Sequence, residues 1–403
     1  MTETRLKILM VASSYPRAAD DTASIFLRYL AESVARRGHD VRVLVPAESA
    51  GGVRLEGSVR VHRFRYLPAK WQKLAYGSGI MPNLRRAPWL WLEVPFFTAA
   101  MTAALLRLVR SERPDVIHAH WLLPQGLVAL SAKYLCGVPV LATAHGADAF
   151  ALQGAPARGL KRIVVSRSDA WTSNTRATAG AAGAALPAPH IVPMGVDVAR
   201  FAGGDRARQR REFAENDLVI LFVGRLIEKK GCRDLVEAYA LLPPALRART
   251  HLWIVGDGDE GAALRRRAEE IDGAGIRFWG AINHAQLPDL YAAADIMVVP
   301  SIAAESGDTE GLGVVILEAF AAGCCVVATR IGGIGEVVED GHTGVLTAPS
   351  DAGQLTHALE ALLPDEKRRR SLGAAAAARA QDYSWDKIAA EFEALYRRLI
   401  GRG

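Results

Sequence analysis

Residues Thr309 to Gly323 read TEGLGVVILEAFAAG. Glycines at 311 and 313 open it, an apolar run suited to a buried helix follows, and Gly323 ends it as a C-terminal glycine does. The short apolar run Ile296 to Val299 precedes it and Cys325 to Ala328 follows it, so the unit is strand, glycine turn, buried helix, strand. Such a unit is the crossover of a parallel sheet.

The same alternation extends outward through the chain. In the second half, strands are expected at Val219 to Val223, Leu252 to Val255 and Ile276 to Trp279, with helices at Leu235 to Leu242, Ala262 to Ile271 and Leu287 to Ala293. In the first half, strands are expected at Lys7 to Ala12, Val41 to Val45, Val59 to Phe64, Val116 to His120, Val138 to Ala142, Ala170 to Thr172 and Ile191 to Val192. A helix from Ser24 to Arg37 carries Phe26, Leu27, Leu30 and Val34 at helical spacing and stops at Gly38. Regularity breaks at HIVPMGVD, residues 190 to 197, where Pro193 and Gly195 intervene. The expected fold class is α/β: two facing Rossmann-like domains, residues 1–195 and 196–383, with a deep cleft between the carboxyl ends of their strands. The last helix, about Ser384 to Leu399, has Trp385, Ile388, Phe392, Leu395 and Tyr396 on one face and is expected to cross back, so that residues 384–403 join the N-terminal domain.

Composition agrees with a globular chain: 403 residues, 50% hydrophobic and 23% charged, which excludes disorder as the main character. The longest apolar stretch, Pro88 to Leu106, carries Glu93 and two prolines, so no spanning helix is expected. The start MTETRLKILMVA has no signal-like h-region, and a cytoplasmic location is expected. Cys136, Cys232, Cys324 and Cys325 lack CxxC spacing, which argues for reduced thiols and against a zinc site.

Charge is uneven along the chain. Residues 1–195 hold 24 Lys and Arg against 12 Asp and Glu, and the remaining residues hold 25 against 31. Between Arg54 and Arg86 eight cations (Arg54, Arg60, Arg63, Arg65, Lys70, Lys73, Arg85, Arg86) face one acid, Glu56, among Phe64, Tyr66, Trp71 and Tyr76, with Trp89 and Trp91 just beyond. Such a stretch suits an anionic membrane surface. No RNP or KH signature accompanies it, so nucleic acid is not expected as a partner.

Chemistry concentrates in the second half. The first strand ends in VASSYP without GxGxxG, which removes most support for a nicotinamide enzyme. Glycine turns instead follow later strands: Gly224-Arg225-Leu226 with Lys229-Lys230-Gly231, then Gly256-Asp257-Gly258, then Glu310-Gly311-Leu312-Gly313. Backbone N–H groups around Gly311, Leu312, Gly313 and Val314, at a helix N-terminus, suit a diphosphate. Glu310 and Glu318 are eight residues apart, roughly 12 Å along a helix axis, which matches the two sugars of a nucleotide diphosphate sugar. An unpartnered charge at Glu318 in an apolar helix is expensive, which favours a ligand role.

These residues also carry a resemblance. The Glu310/Glu318 pair, GRLIEKKG (Gly224 to Gly231), IVGDGDE (Ile254 to Glu260), RFWGAINHAQLPDLYAAADIMVVPS (Arg277 to Ser301), VPMGVD (Val192 to Asp197) and TAHGAD (Thr143 to Asp148) resemble the family-four retaining glycosyltransferases of the GT-B fold. The resemblance implies that Arg225 and Lys230 hold the donor diphosphate, Glu318 the ribose, Glu310 the donor sugar, and that the turn from Trp279 to Ile282 places the base. It implies that His145 faces the donor sugar from across the cleft. His145, Glu310, Arg225 and Lys230 are thus the expected catalytic residues. The nucleotide diphosphate sugar is a co-substrate, and no other cofactor and no metal are expected, because no DxD-like pair ends a candidate donor strand.

The loop Ser13 to Phe26, SSYPRAADDTASIF, departs from the glycine pair of many members. The loop length and the segment HAHWLLPQG (His118 to Gly126) look more like the branch that builds exopolysaccharides and lipid-linked oligosaccharides, so a glycan or polyprenyl-linked acceptor is expected. Acceptor-side candidates are Tyr15, His120 and Asp148, the last being the only N-domain carboxylate in a matching motif. His118 and His120 are expected on opposite faces of their strand, with His120 toward the cleft. Another GT-B activity, such as a nucleotide-sugar epimerase or a phosphorylase, and a non-catalytic sugar binder are the competing readings.

Overall fold

The computed structural model describes residues 4–401 except 19, 20, 22, 49, 78, 151, 152, 184–186, 212, 213, 215, 216 and 272–274, so part of the loop from Ser13 to Phe26 lies outside the described residues. Two compact units make up the chain: Met1–Pro193 with Trp385–Gly403, and Met194–Ser384.

The first unit holds β1 (Lys7–Val11), β2 (Asp40–Pro46), β3 (Gly52–Glu56), β4 (Val59–Phe64), β5 (Val116–His120), β6 (Val140–Ala144), β7 (Ala170–Ser173) and β8 (His190–Ile191). They form one sheet in the order β3-β4-β2-β1-β5-β6-β7-β8. Every neighbouring pair is parallel except the hairpin of β3 and β4. The interior strands are apolar on both faces because crossover helices cover both. β3 escapes sequence reading because its Val53 and Leu55 are exposed, so no apolar face marks it as a buried strand.

The second unit holds β9 (Leu218–Val223), β10 (Thr250–Val255), β11 (Ile276–Gly280), β12 (Ile296–Val299), β13 (Cys325–Thr329) and β14 (Val345–Thr347), in the order β11-β10-β9-β12-β13-β14. All its pairings are parallel. Three-residue β14 is too short for its pattern to register in the sequence. In this sheet the strand order reverses between β9 and β12, and in the first between β1 and β5. At such switch points the crossovers leave in opposite directions and open a crevice beyond the carboxyl ends of the strands.

The last helix, Trp385–Ile400, buries Trp385, Ile388, Phe392, Leu395, Tyr396 and Leu399 in one cluster with Leu27, Leu30 and Val34 of the helix Ile25–Arg36. Its apolar stripe completes the core of the first unit, which holds the other half of that cluster. The helix Glu93–Glu112 turns Phe97, Met101, Leu105 and Val109 inward at four-residue spacing. Together with the short turn before it, Pro88–Glu112 is the one helical stretch among the described residues long and apolar enough to cross a membrane, with mean hydropathy 1.5. Glu93, which breaks its apolar run, is buried and accepts from the N–H groups of Lys73 and Leu74, each at 3.2 Å.

Candidate active site

In the second unit, the switch point gathers the loops after β9 and β12. The loop after β9 carries Arg225, which is exposed, and Lys230. The loop after β12 carries Glu310, whose carboxylate accepts from the Lys230 ammonium. Lys229 holds the same loop from the side, its ammonium 3.1 Å from Asp308 Oδ1 and 3.2 Å from the Thr309 carbonyl oxygen. Burial works to raise the Glu310 carboxyl, yet the cations of Lys230, Lys229 and Arg225 outweigh it and hold the group below the ordinary carboxylate range.

Glycine permits this convergence for a steric reason. A β-carbon at Gly332 would stand 1.9 Å from the Glu310 carbonyl oxygen, and one at Gly231 would stand 1.8 Å from that of Pro300. The turns after β9 and β10 likewise touch backbone to backbone: the Gly224 N–H donates to Val255 at 3.0 Å and the Leu226 N–H to Asp257 at 2.9 Å. A β-carbon at Gly256 would meet the Gly224 carbonyl oxygen at 1.8 Å. These glycines are therefore required by loop packing, a need separate from the ligand role that sequence reading gave the turns as a set.

The helix that follows Glu310 starts later than its sequence suggests. It spans Val314–Ala321, with Gly313 as N-cap at φ 73° and no side-chain cap among the described residues. Gly311 and Leu312 thus lie in the approach to the helix, and Glu310 and Glu318 do not share one helix axis, so the spacing of about 12 Å along an axis does not apply. Glu318 sits just past the first turn, buried at 7% exposure. Tyr291 Oη–H donates to it at 2.8 Å, and His284 Nε2 lies 3.1 Å from its other oxygen. Burial, aided by the adjacent Glu318 carboxylate, pushes the Tyr291 phenol well above its ordinary value and keeps it a donor. Sequence reading found Glu318 and missed both partners, although His284 and Tyr291 stand in the quoted motif; their helical offset from Glu318 exists only in three dimensions. Ile282 is half-buried against the core beside Trp279, over whose ring the Arg277 guanidinium stacks at 4.1 Å.

In the first unit, the switch point brings together the chain after β1 and after β5. Tyr15 is fully buried, and its hydroxyl has no hydrogen-bond partner among the described residues. His118 and His120 were expected on opposite faces. Their rings instead lie 3.9 Å apart on one face, because residues two apart on a strand point the same way. His118 bonds Tyr396 Oη at 2.7 Å and Thr143 Oγ1 at 2.6 Å. His120 Nδ1 meets His145 Nε2 at 3.3 Å. Trp121, next along, has φ 73°, a strained conformation for a residue with a β-carbon, and its ring lies 5.1 Å from that of His145. Burial lowers all three histidines, His118 and His145 to about 3, so the cluster is neutral.

Asp148 is buried, and its two oxygens accept from the N–H groups of Leu122, at 2.7 Å, and His145, at 2.8 Å. Burial raises its carboxyl to about 7 against the pull of those donors and of Lys161. It ties the end of β6 to the chain after β5. Among the described residues no group of three His, Cys, Asp or Glu side chains is arranged to hold a metal ion.

A Rossmann-like unit whose switch point presents cations, a carboxylate and a helix N-terminus, joined to a second Rossmann-like unit, defines a GT-B glycosyltransferase. Residues 204–379 match the family described as "Glycosyl transferases group 1" and residues 23–200 match "Glycosyltransferase Family 4". The D-inositol 3-phosphate glycosyltransferase of Geodermatophilus obscurus is 35% identical over 331 residues, 75% of this chain and 71% of that protein. The glycogen synthase of Mycobacterium tuberculosis is 31% identical over 97% of this chain and 94% of its own. Among solved structures, sucrose-phosphate synthase from Thermosynechococcus elongatus superposes with TM-score 0.80 at 24% identity, covering 99% of this chain and 100% of that one. The chain belongs to the family-four, group 1 glycosyltransferases, enzymes that take their sugar from a nucleotide sugar donor.

Proposed function

We propose that this enzyme transfers a hexose, with retention at the anomeric carbon, from a nucleotide diphosphate sugar to a hydroxyl of a glycan or polyprenyl-linked acceptor, in exopolysaccharide or lipid-linked oligosaccharide assembly. The observation that carries the donor half is the convergence of Arg225, Lys230 and Glu310 at one switch point, with Glu318 just inside the adjoining helix. Arg225 and Lys230 take the diphosphate, and the N-terminus at Gly313 and Val314 adds its dipole to the leaving-group charge. Glu310 accepts from the donor sugar. Glu318, its oxygens oriented by Tyr291 and His284, keeps lone pairs for the ribose, and Ile282 packs on the base. His145, neutral, acts on the donor sugar as a hydrogen-bonding group, and Tyr15 belongs to the acceptor side.

Attack on the same face as departure fits the carboxylates available. Both Asp148 oxygens already accept backbone N–H groups, so Asp148 serves as a brace and is poorly suited as a nucleophile. The departing phosphate oxygen then takes the acceptor proton. Incubation with UDP, GDP and ADP sugars, with nucleoside diphosphate release measured and the product's anomeric configuration read by NMR, tests the reading. An inverted product would end it.

The acceptor half of the proposal, an enzyme working at the inner face of the cell membrane, is supported by surface chemistry. Trp71, Trp89, Trp91, Leu92 and Phe96 are all more than half exposed. Lys70 stands 5.6 Å over the ring of Trp71, and Lys73 stands 5.7 Å over that of Trp89. Aromatic rings interleaved with ammonium groups suit an anionic headgroup layer. Arg63 leaves that set: its side chain is 10% exposed and bonds Glu56 at 2.9 Å and the Pro16 carbonyl oxygen at 2.8 Å.

A further inference from the structure

We infer that His120 is a positioning residue, holding the His145 imidazole in one ring orientation and coupling its neutral tautomer to that of His120. The inference rests on the reading above that His145 serves transfer. His120 and His145 are 1% and 6% exposed, their ring planes 22° apart and their centroids at 5.5 Å. Their contact is between His120 Nδ1 and His145 Nε2. His120 Nε2 and His145 Nδ1 have no partner among the described residues, so this is the single side-chain hydrogen bond of either imidazole.

Two neutral imidazoles bond only when one gives N–H and the other a lone pair. The proton state of His145 Nε2 is therefore the complement of that of His120 Nδ1, and it fixes the state of His145 Nδ1, the other ring nitrogen. Rotating the His145 ring by half a turn would set a carbon against His120 Nδ1 and forfeit the bond. His120 is itself held from behind. The His118 ring lies against it, and both His118 nitrogens are occupied, one by Tyr396 and the other by Thr143, which in turn meets Thr172 Oγ1 at 2.6 Å. Asp148 fixes the His145 backbone, and Phe26 and Trp121 flank its ring at 5.2 and 5.1 Å. Backbone and ring walls thus leave the ring flip and the proton as the remaining freedoms, and His120 blocks the first and ties the second to its own proton.

The test exploits which side-chain atom carries the bond. His120→Asn puts an amide where Nδ1 stood, His120→Gln puts it one atom further out, and His120→Phe keeps the ring volume alone. Asn should keep turnover within about threefold, whereas Gln and Phe should cut kcat by about ten- to a hundredfold with the donor KM little changed, the scale of a misoriented group. Nitrogen chemical shifts of labelled His145 should report a hydrogen-bonded Nε2 in the parent and in His120→Asn, and the loss of that bond in His120→Phe. A core-filling role would reverse the ranking, with Phe best and Asn worst, and would overturn the inference, as would a His145 Nε2 without a hydrogen bond in the parent. Full turnover in His145→Ala would end the role of His145 in transfer, while the nitrogen shifts still decide whether His120 holds its ring.

Discussion

Lys230 and Glu310, eighty positions apart in sequence, form an ion pair across the switch point of the second sheet. Each is 17% and 13% exposed respectively, so each charge depends on the other in a site largely removed from water.

Replacing Lys230 by Ala should therefore act twice. Loss of a charge-assisted contact is worth roughly 1.5 to 3 kcal/mol, or about one to two decades of nucleoside diphosphate affinity, with nucleoside affinity nearly unchanged. The same change leaves Glu310 with Lys229 and Arg225 alone, so its carboxyl should titrate higher. Calorimetry with the diphosphate and the nucleoside checks the first part; equal weakening of both would place Lys230 away from phosphate.

The two glutamates should separate by role. Glu318→Gln disturbs an acceptor of two side-chain bonds and should raise the donor Kd about ten- to a hundredfold, in line with roughly 1.5 to 3 kcal/mol for one bond to a charged group. Glu310→Gln should lower turnover more than it changes nucleoside diphosphate affinity. Steady-state kinetics beside direct binding distinguishes them, and a Glu310→Gln enzyme with parental turnover would remove that residue from the site.

The histidine cluster predicts a direction for pH. His118, His120 and His145 have folded values well below the ordinary 6.5, so the unfolded chain binds more protons below that pH and stability should fall as pH drops through it. Asp148, raised to about 7 from 3.8, works the other way over that window, because its folded form takes up a proton first. Three histidines against one carboxyl leave a net loss on acidification, at about 1.4 kcal/mol per pH unit for each uncompensated group. Urea unfolding from pH 7 to pH 5 measures it. A flat profile, or one unchanged by His118→Gln, would contradict the assignment.

Of the basic residues between Arg54 and Arg86, membrane association should depend on the exposed ones. Changing Lys70, Lys73, Arg85 and Arg86 to Ser should abolish sedimentation with anionic liposomes at low salt, each contributing about 1 kcal/mol. Arg63→Ser should instead damage the fold near Pro16 and Glu56. No binding of the parent protein to any anionic liposome would leave a soluble acceptor as the better reading.

Most strands and the long helices were legible in the sequence because apolar periodicity records burial, and the interior strands of both sheets are buried. What escaped was whatever burial does not encode. β3 points its apolar side chains outward, and β14 is three residues long. Glu318 stood out as a charge in an apolar helix, whereas His284 and Tyr291, which hold it, come from another segment and left no mark. The histidine pair is legible in principle, since HAH on a strand has period two and so sets both rings on one face. The start of the helix at Val314 was hidden by the apolar continuity of GLGVVIL, which says nothing of where left-handed Gly313 breaks the turn.

The chain passes between its two units at Pro193 and again at Ser384, and this has a consequence for the order of assembly during synthesis. Residues 194–384 are contiguous and complete once Ser384 has left the ribosome. The first unit, although made first, lacks Trp385, Ile388, Phe392 and Tyr396 until the final helix emerges, and Tyr396 is the hydroxyl on which His118 rests. A nascent chain therefore finishes its second-made unit before its first, the reverse of the usual N-to-C order. Ribosome-released chains ending at Ser384 should carry a protease-resistant second unit attached to a first unit that is still open to cleavage.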